Sequence, residues 1–214
     1  MGVTFHAEGL AYEDSYDCGY VVFEEYRDAL AKAANPVMGQ VYAIVTDGFA
    51  DYEEVGGRDM LLFAIDEVCD ETGREMGAKE IREGLFSLCP ESADGCRGLW
   101  VMSQGDNLPL DIRMTFDALN AMMRVAYGEH LASFLSAPND EGMLDAEDCR
   151  GILDDLKRLG DLSIPLKGHN YGETEMTVDE DGRRAVHIRH YPMHSQFVGM
   201  FRHCAEHNVT LMWD

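Results

Sequence analysis

Apolar residues recur along this chain with helical spacing through its middle and with strand-like spacing towards its ends. The opening stretch Val3 to Ala7 is short and β-branched, which suits a first strand. Phe23, Tyr26, Leu30 and Ala33 then recur at helical spacing, and the "ANP" at 34–36 stops that helix because proline disfavours helical geometry in the residue before it. Val41 to Thr46 reads as a buried strand ending at Asp47-Gly48, although its periodicity fits a helix nearly as well, so the structure of 40–57 stays open. Residues 58–72 predict a helix with Gly73 just beyond it, and Ala78 to Leu88 a second, shorter one. Ile112, Phe116, Leu119, Met123 and Ala126 mark a long helix that continues through "EHLASFL".

Past that point the pattern sharpens. Asp145 is placed to cap a helix whose stripe is Cys149, Ile152, Leu153, Leu156 and Leu159 and whose stop is Gly160. The 174–190 stretch alternates on both sides of Asp181-Gly182, as a β-hairpin does. Phe197, Met200, Phe201 and Cys204 form one face of a last helix, followed by a strand over Val209 to Trp213. The expected fold is α+β: one small antiparallel or mixed sheet built from the N-terminal strand, the C-terminal strand and the hairpin, covered by several helices. Residues 1–214 read as a single domain, with 40–105 as an elaboration. Tyr12 to Asp17, Asp51 to Gly57, Pro90 to Gly98 and Leu166 to Gly172 read as loops.

Charge changes the functional picture. Forty acidic side chains stand against 17 basic ones, a formal net charge of −23. Such a field repels phosphate backbones and anionic lipid, so direct nucleic-acid binding is disfavoured and a basic protein partner is favoured. The carboxylates of "EDSYD" and "DYEE" are candidate contacts for it. No apolar run approaches the ~20 residues that span a bilayer, and the start of the chain lacks the features of a secretory signal, so the expected location is cytoplasmic. Six cysteines are scattered without a C-x-x-C, which points to reduced thiols, with Cys149 and Cys204 as small core residues.

Three patterns invite a metal. In residues 137–148 a glycine stands sixth in a twelve-residue acidic stretch, which puts Asn139, Glu141, Asp145 and Asp148 at the third, fifth, ninth and twelfth positions of a degenerate EF-hand-like calcium loop. Ala137 occupies the first position, where an aspartate is needed, Pro138 stiffens the turn, and the terminal bidentate glutamate is shortened to Asp148. A metal-free turn between two helices uses the same residues as caps, and that reading is favoured. Five of the eight histidines fall between His187 and His207. His203 and His207 are four apart on the last helix, and with His190 and His194, or with Glu206, they make a candidate zinc site of a metal-dependent enzyme. The helix lacks the H-E-x-x-H order, because Glu206 sits beside His207. Asp47 at a strand end resembles the opening aspartate of metal-dependent phosphomutases, but the further aspartate and histidine motifs of those enzymes are missing, and an Asp-Gly turn accounts for it. No dinucleotide fingerprint, P-loop or nucleophile elbow occurs, so no bound cofactor is expected.

The segments "MGVTFHAEG", "FEEYRDALAKA", "HLASFLSAPNDEGMLDAEDCRGIL" and "FVGMFRHCAEHNVTLMWD" carry a resemblance. They are similar to a family of small acidic bacterial and prophage-associated proteins with no assigned activity. Members usually carry Ser-Asp and an acidic turn before glycine, where this chain has Ser136-Ala137 and the turn ending at Gly142. The resemblance leaves 37–129 unmatched and implies a fold more than a function. The leading functional expectation is a non-enzymatic acidic protein that engages a basic macromolecule, with a metal-dependent enzyme and a degenerate calcium binder as alternatives.

Overall fold

The N-terminal strand forms as β1 (Gly2–Ala7) and turns Val3, Phe5 and Ala7 inward. A computed structural model describes the chain except for residues 1, 10–15, 90–97, 104, 106–107, 161, 163, 165–174, 179–183 and 188–191. It is an α+β fold of helices and small antiparallel sheets. The chain divides into two compact units, one made of 1–30 and 128–214 and the other of 31–127. The expected elaboration at 40–105 lies inside the second. Among the described residues no helix is long and apolar enough to cross a membrane.

In the first unit, β1 lies between β2 (Tyr16–Gly19) and β10 (Leu211–Trp213), and β10 also pairs with β7 (Gly142–Leu144). The two chain ends therefore share a sheet, as their apolar patterns predict. β2 falls where the sequence reads as a loop; its four residues, Tyr16 to Gly19, hold no run of alternating apolar positions. The hairpin forms as β8 (Glu175–Val178) and β9 (Arg184–His187), but these strands pair with each other as a separate two-stranded sheet rather than joining the first. Its Asp181-Gly182 turn lies outside the described residues.

Helices α1 (Tyr20–Ala34), α5 (Glu129–Leu135), α6 (Ala146–Leu159) and α7 (Pro192–His207) complete this unit, the division of the chain falling within α1 after Leu30. Phe5, Phe23, Phe134, Phe197, Phe201 and Trp213 are all buried, with Phe5 edge-on to Phe197 at 4.8 Å and Tyr26 stacked on Phe197 at 4.8 Å. Burying each such ring stabilises the fold by about 1.5–3 kcal/mol, so this cluster dominates the unit's core. Asp145 caps α6 through the backbone N–H groups of Glu147 and Asp148, both at 2.8 Å, and Gly160 closes the helix. On that helix Cys149, Ile152 and Leu156 are buried, while Leu153 and Leu159 are half-buried at the margins of the stripe. On α7 the expected face of Phe197, Met200, Phe201 and Cys204 is wholly buried.

The second unit departs further from the sequence reading. Its first helix, α2 (Pro36–Thr46), begins directly after α1 ends. Pro36 does stop α1, yet it also opens α2 from the first helical position, where its missing N–H costs nothing, and the Asn35 side chain accepts from Met38 N at 2.9 Å. Val41 to Thr46 is thus helix rather than strand. Residues 51–65, expected as a loop and the start of a helix, form a hairpin of β3 (Asp51–Val55) and β4 (Arg58–Ile65). Gly56 and Gly57, at φ 60° and 75°, supply the two left-handed residues that a tight hairpin turn requires.

Ile112 also belongs to a strand, β6 (Leu110–Thr115), and the expected long helix starts only at α4 (Phe116–Tyr127). Gly128, at φ 99°, ends α4, and α5 is a separate helix. The second unit's sheet has the order β3-β4-β6-β5, with β5 spanning Trp100–Ser103. The helix α3 (Ala78–Ser87) forms where expected and buries Ile81 and Leu85.

Candidate functional site

The calcium-like stretch is built into the first unit by side chains that the sequence pattern did not reveal. Arg27, only 4% exposed, donates from Nη1 to the Ala137 carbonyl and from Nη2 to Asn139 Oδ1, and the Asn139 amide in turn donates to Glu24. Trp213 Nε1 donates to the Pro138 carbonyl at 3.1 Å. Asp145 and Asp148 form a reciprocal cap, Asp148 Oδ2 accepting from Asp145 N at 3.2 Å, and Asp148 Oδ1 lies 3.3 Å from His130 Nδ1. Of the four candidate ligands only the exposed Glu141 has its carboxylate clear of these contacts. Gly142 has a packing reason to be glycine: a Cβ there would overlap the Trp213 ring. The expected helix-loop-helix therefore carries a short strand, β7, between its helices.

Among the described residues, the candidate histidines are not all brought to a common point. His190 lies outside the described residues. His194, at the start of α7, shares a hydrogen bond between its Nδ1 and the buried Tyr26 hydroxyl, 2.9 Å, and its burial lowers its pKa below the usual imidazole value. His203 lies nine residues on, about 13 Å along the helix axis. Its ring stacks on His207 with centroids 4.4 Å apart at 24°. His203 Nε2 donates to the Glu8 carbonyl at 3.1 Å and His207 Nδ1 to the His203 carbonyl at 3.0 Å. Parallel rings tied to backbone oxygens do not aim their nitrogens at a shared ion. Glu206 is exposed on the same turn, and among the described residues no group of three or more His, Cys, Asp or Glu side chains could hold a metal. Cys149 and Cys204 are buried; the hydrogen bond between them, together with burial, holds Cys149 firmly as a thiol.

The carboxylates of "DYEE" fall on β3, an edge strand exposed along its whole length, whereas 13–15 of "EDSYD" lie outside the described residues. Between Asp47 and Glu71 nine carboxylates accompany a single base, Arg58. The register aligns Asp51, Leu62, Arg113 and Trp100 in one row across all four strands, on the face opposite buried Leu61, Phe63, Ile112 and Val101. Trp100 is 49% exposed on that outer face, beside a shallow depression of about 270 Å³ lined by Asp51, Leu62, Ala64, Asp111 and Arg113. Phe49 and Tyr52, at 76% and 62% exposure, add apolar surface at the acidic edge, Tyr52 stacking on Phe116 at 5.9 Å.

Near the end of the sheet a second cleft, about 310 Å³, has Ile65, Ile81 and Leu110 as walls and Asp66 and Glu75 at its rim. The neighbouring cation Arg74 is already engaged, bonding Asp70 Oδ2 at 3.0 Å and Glu80 Oε1 at 2.9 Å. A hydrogen bond from Thr72 holds Asp70 below its usual pKa, and the Arg74 hydrogen bond does the same for Glu80. The β3 carboxylates stand out in the sequence by charge alone; the exposed rings of this sheet do not, because β3, β4 and β6 read as loop and helix. In comparisons with known protein families, curated proteins and solved structures, nothing matches this chain.

Proposed function

We propose that this chain is a non-enzymatic acidic interaction protein whose second unit engages a basic macromolecular partner, in the setting of a mobile genetic element. The observation that carries the reading is the β3 edge, where Asp51, Glu53 and Glu54 lie exposed in a segment with a single base and exposed Tyr52 and Phe49 stand beside them. Charged residues on an edge strand also keep sheets from pairing with one another, which accounts for Glu53 and Glu54. That role does not call for exposed aromatic rings. Aromatic anchors inside a polar rim are the composition of a binding surface, and the surrounding negative field accelerates encounter with a cationic partner.

The test is affinity capture from host lysate at graded ionic strength. A basic protein retained at low salt and released as salt rises is the expected result. Failure to capture any partner at low salt, with turnover of a small molecule by the purified protein, would replace this reading with an enzymatic one.

A further inference from the structure

Strand alternation sends every second residue of the first unit's sheet away from the aromatic core, and one row of those outward positions is made of soft metal donors. His6 of β1 stands opposite Met212 of β10, and Met212 stands opposite Met143 of β7. The three therefore lie in line across adjacent strands. The rows on either side fix the direction, since Phe5 with Trp213 and Ala7 with Leu211 and Leu144 are buried. Met143 is 71% exposed and Met212 38%, with His6 half-buried beside them. Burying a methionine side chain stabilises a fold by about 1.5–3 kcal/mol, so holding two of them side by side in solvent forgoes that gain. Packing offers no reason for it.

We propose that His6, Met212 and Met143 form a surface site for a soft monovalent cation, with Cu(I) as the ion that fits. A thioether is a polarizable, weakly basic donor that hard cations such as calcium and magnesium do not select, whereas thioether sulfur with imidazole nitrogen suits Cu(I). Neighbouring strands lie about 4.8 Å apart, which places the His6 and Met143 Cβ atoms about 10 Å from each other with Met212 between them. The His6 imidazole and the Met143 thioether are each long enough to reach towards the middle strand, so a three-coordinate ion needs no movement of the backbone. The protein's net charge of −23 favours a cation at the surface.

Silver(I), equally soft and inert to redox change, is the probe. The full chain is labelled with 13C at the methyl groups of its 13 methionines, and its accessible thiols are alkylated first so that they do not compete. Equimolar silver(I) should shift two methyl signals, identified through Met143→Leu and Met212→Leu, while zinc(II) leaves both in place. His6→Ala should weaken the response roughly tenfold, and Met212→Leu should abolish the shift of Met143. All three side chains stand on the sheet face turned away from the aromatic core, so these variants keep the fold. The site is overturned if neither methyl moves with equimolar silver, or if Met143 still responds fully in the Met212→Leu protein, since the thioethers would then be binding singly.

Discussion

Gly142 and His194 show how single positions carry constraints that a motif search misreads. In the sequence Gly142 looks like the pivot of a calcium loop; in the structure it is the place where the Trp213 ring lies against the backbone of β7. Gly142→Ala should destabilise the protein by about 1–3 kcal/mol, the cost of overpacking a filled core, as read by urea denaturation. A change below about 0.5 kcal/mol would mean that the ring has room to move. Calorimetric titration with calcium should show nothing tighter than about millimolar, because three of the four candidate ligands are already hydrogen-bonded within the protein.

His194 adds a pH dependence. Its folded pKa lies below the ordinary value of 6.5, so between the two values the unfolded chain binds more protons. Its contribution is therefore complete above about pH 6.5 and is lost as pH falls through the folded value. Replacing it by glutamine, whose amide can still hydrogen-bond the Tyr26 hydroxyl, should flatten stability across that window. An unchanged profile would place the titration elsewhere.

Elements with complete local punctuation were legible before the fold was known. The α6 helix had its cap, stripe and stop in order, and α1, α3 and α7 had apolar faces of the right period. The β3–β4 hairpin is hidden in the sequence because "RDMLLFAI" is apolar enough on both faces to pass for a helix, which masks Gly56-Gly57 as a turn. Those two glycines test the hairpin directly. Alanine at either position should cost about 1–2 kcal/mol, since each backbone is left-handed. Thermal or urea midpoints equal to wild type would contradict the turn. The α2 helix was obscured by the double role of Pro36, a stop for the helix before it and a start for the helix it belongs to. Neither candidate surface could be read from sequence, because the Asp51–Trp100 row and the His6–Met143 row exist only through strand register.

On the scale of the molecule, net charge and local charge make different demands. A charge of −23 attracts any cation from a distance, whereas a binding surface makes some carboxylates matter more than others. For a partner docked on the second unit, the important ones are those of β3. The decisive measurement is the association rate with the captured basic partner at low salt for two variants of equal charge. One neutralises Asp51, Glu53 and Glu54 on β3; the other neutralises the exposed Asp140, Glu141 and Asp154 of the first unit. The β3 variant should associate on the order of tenfold more slowly while the second stays close to wild type. Equal slowing of both variants would mean that total charge alone drives the encounter, and would contradict a partner surface on the second unit.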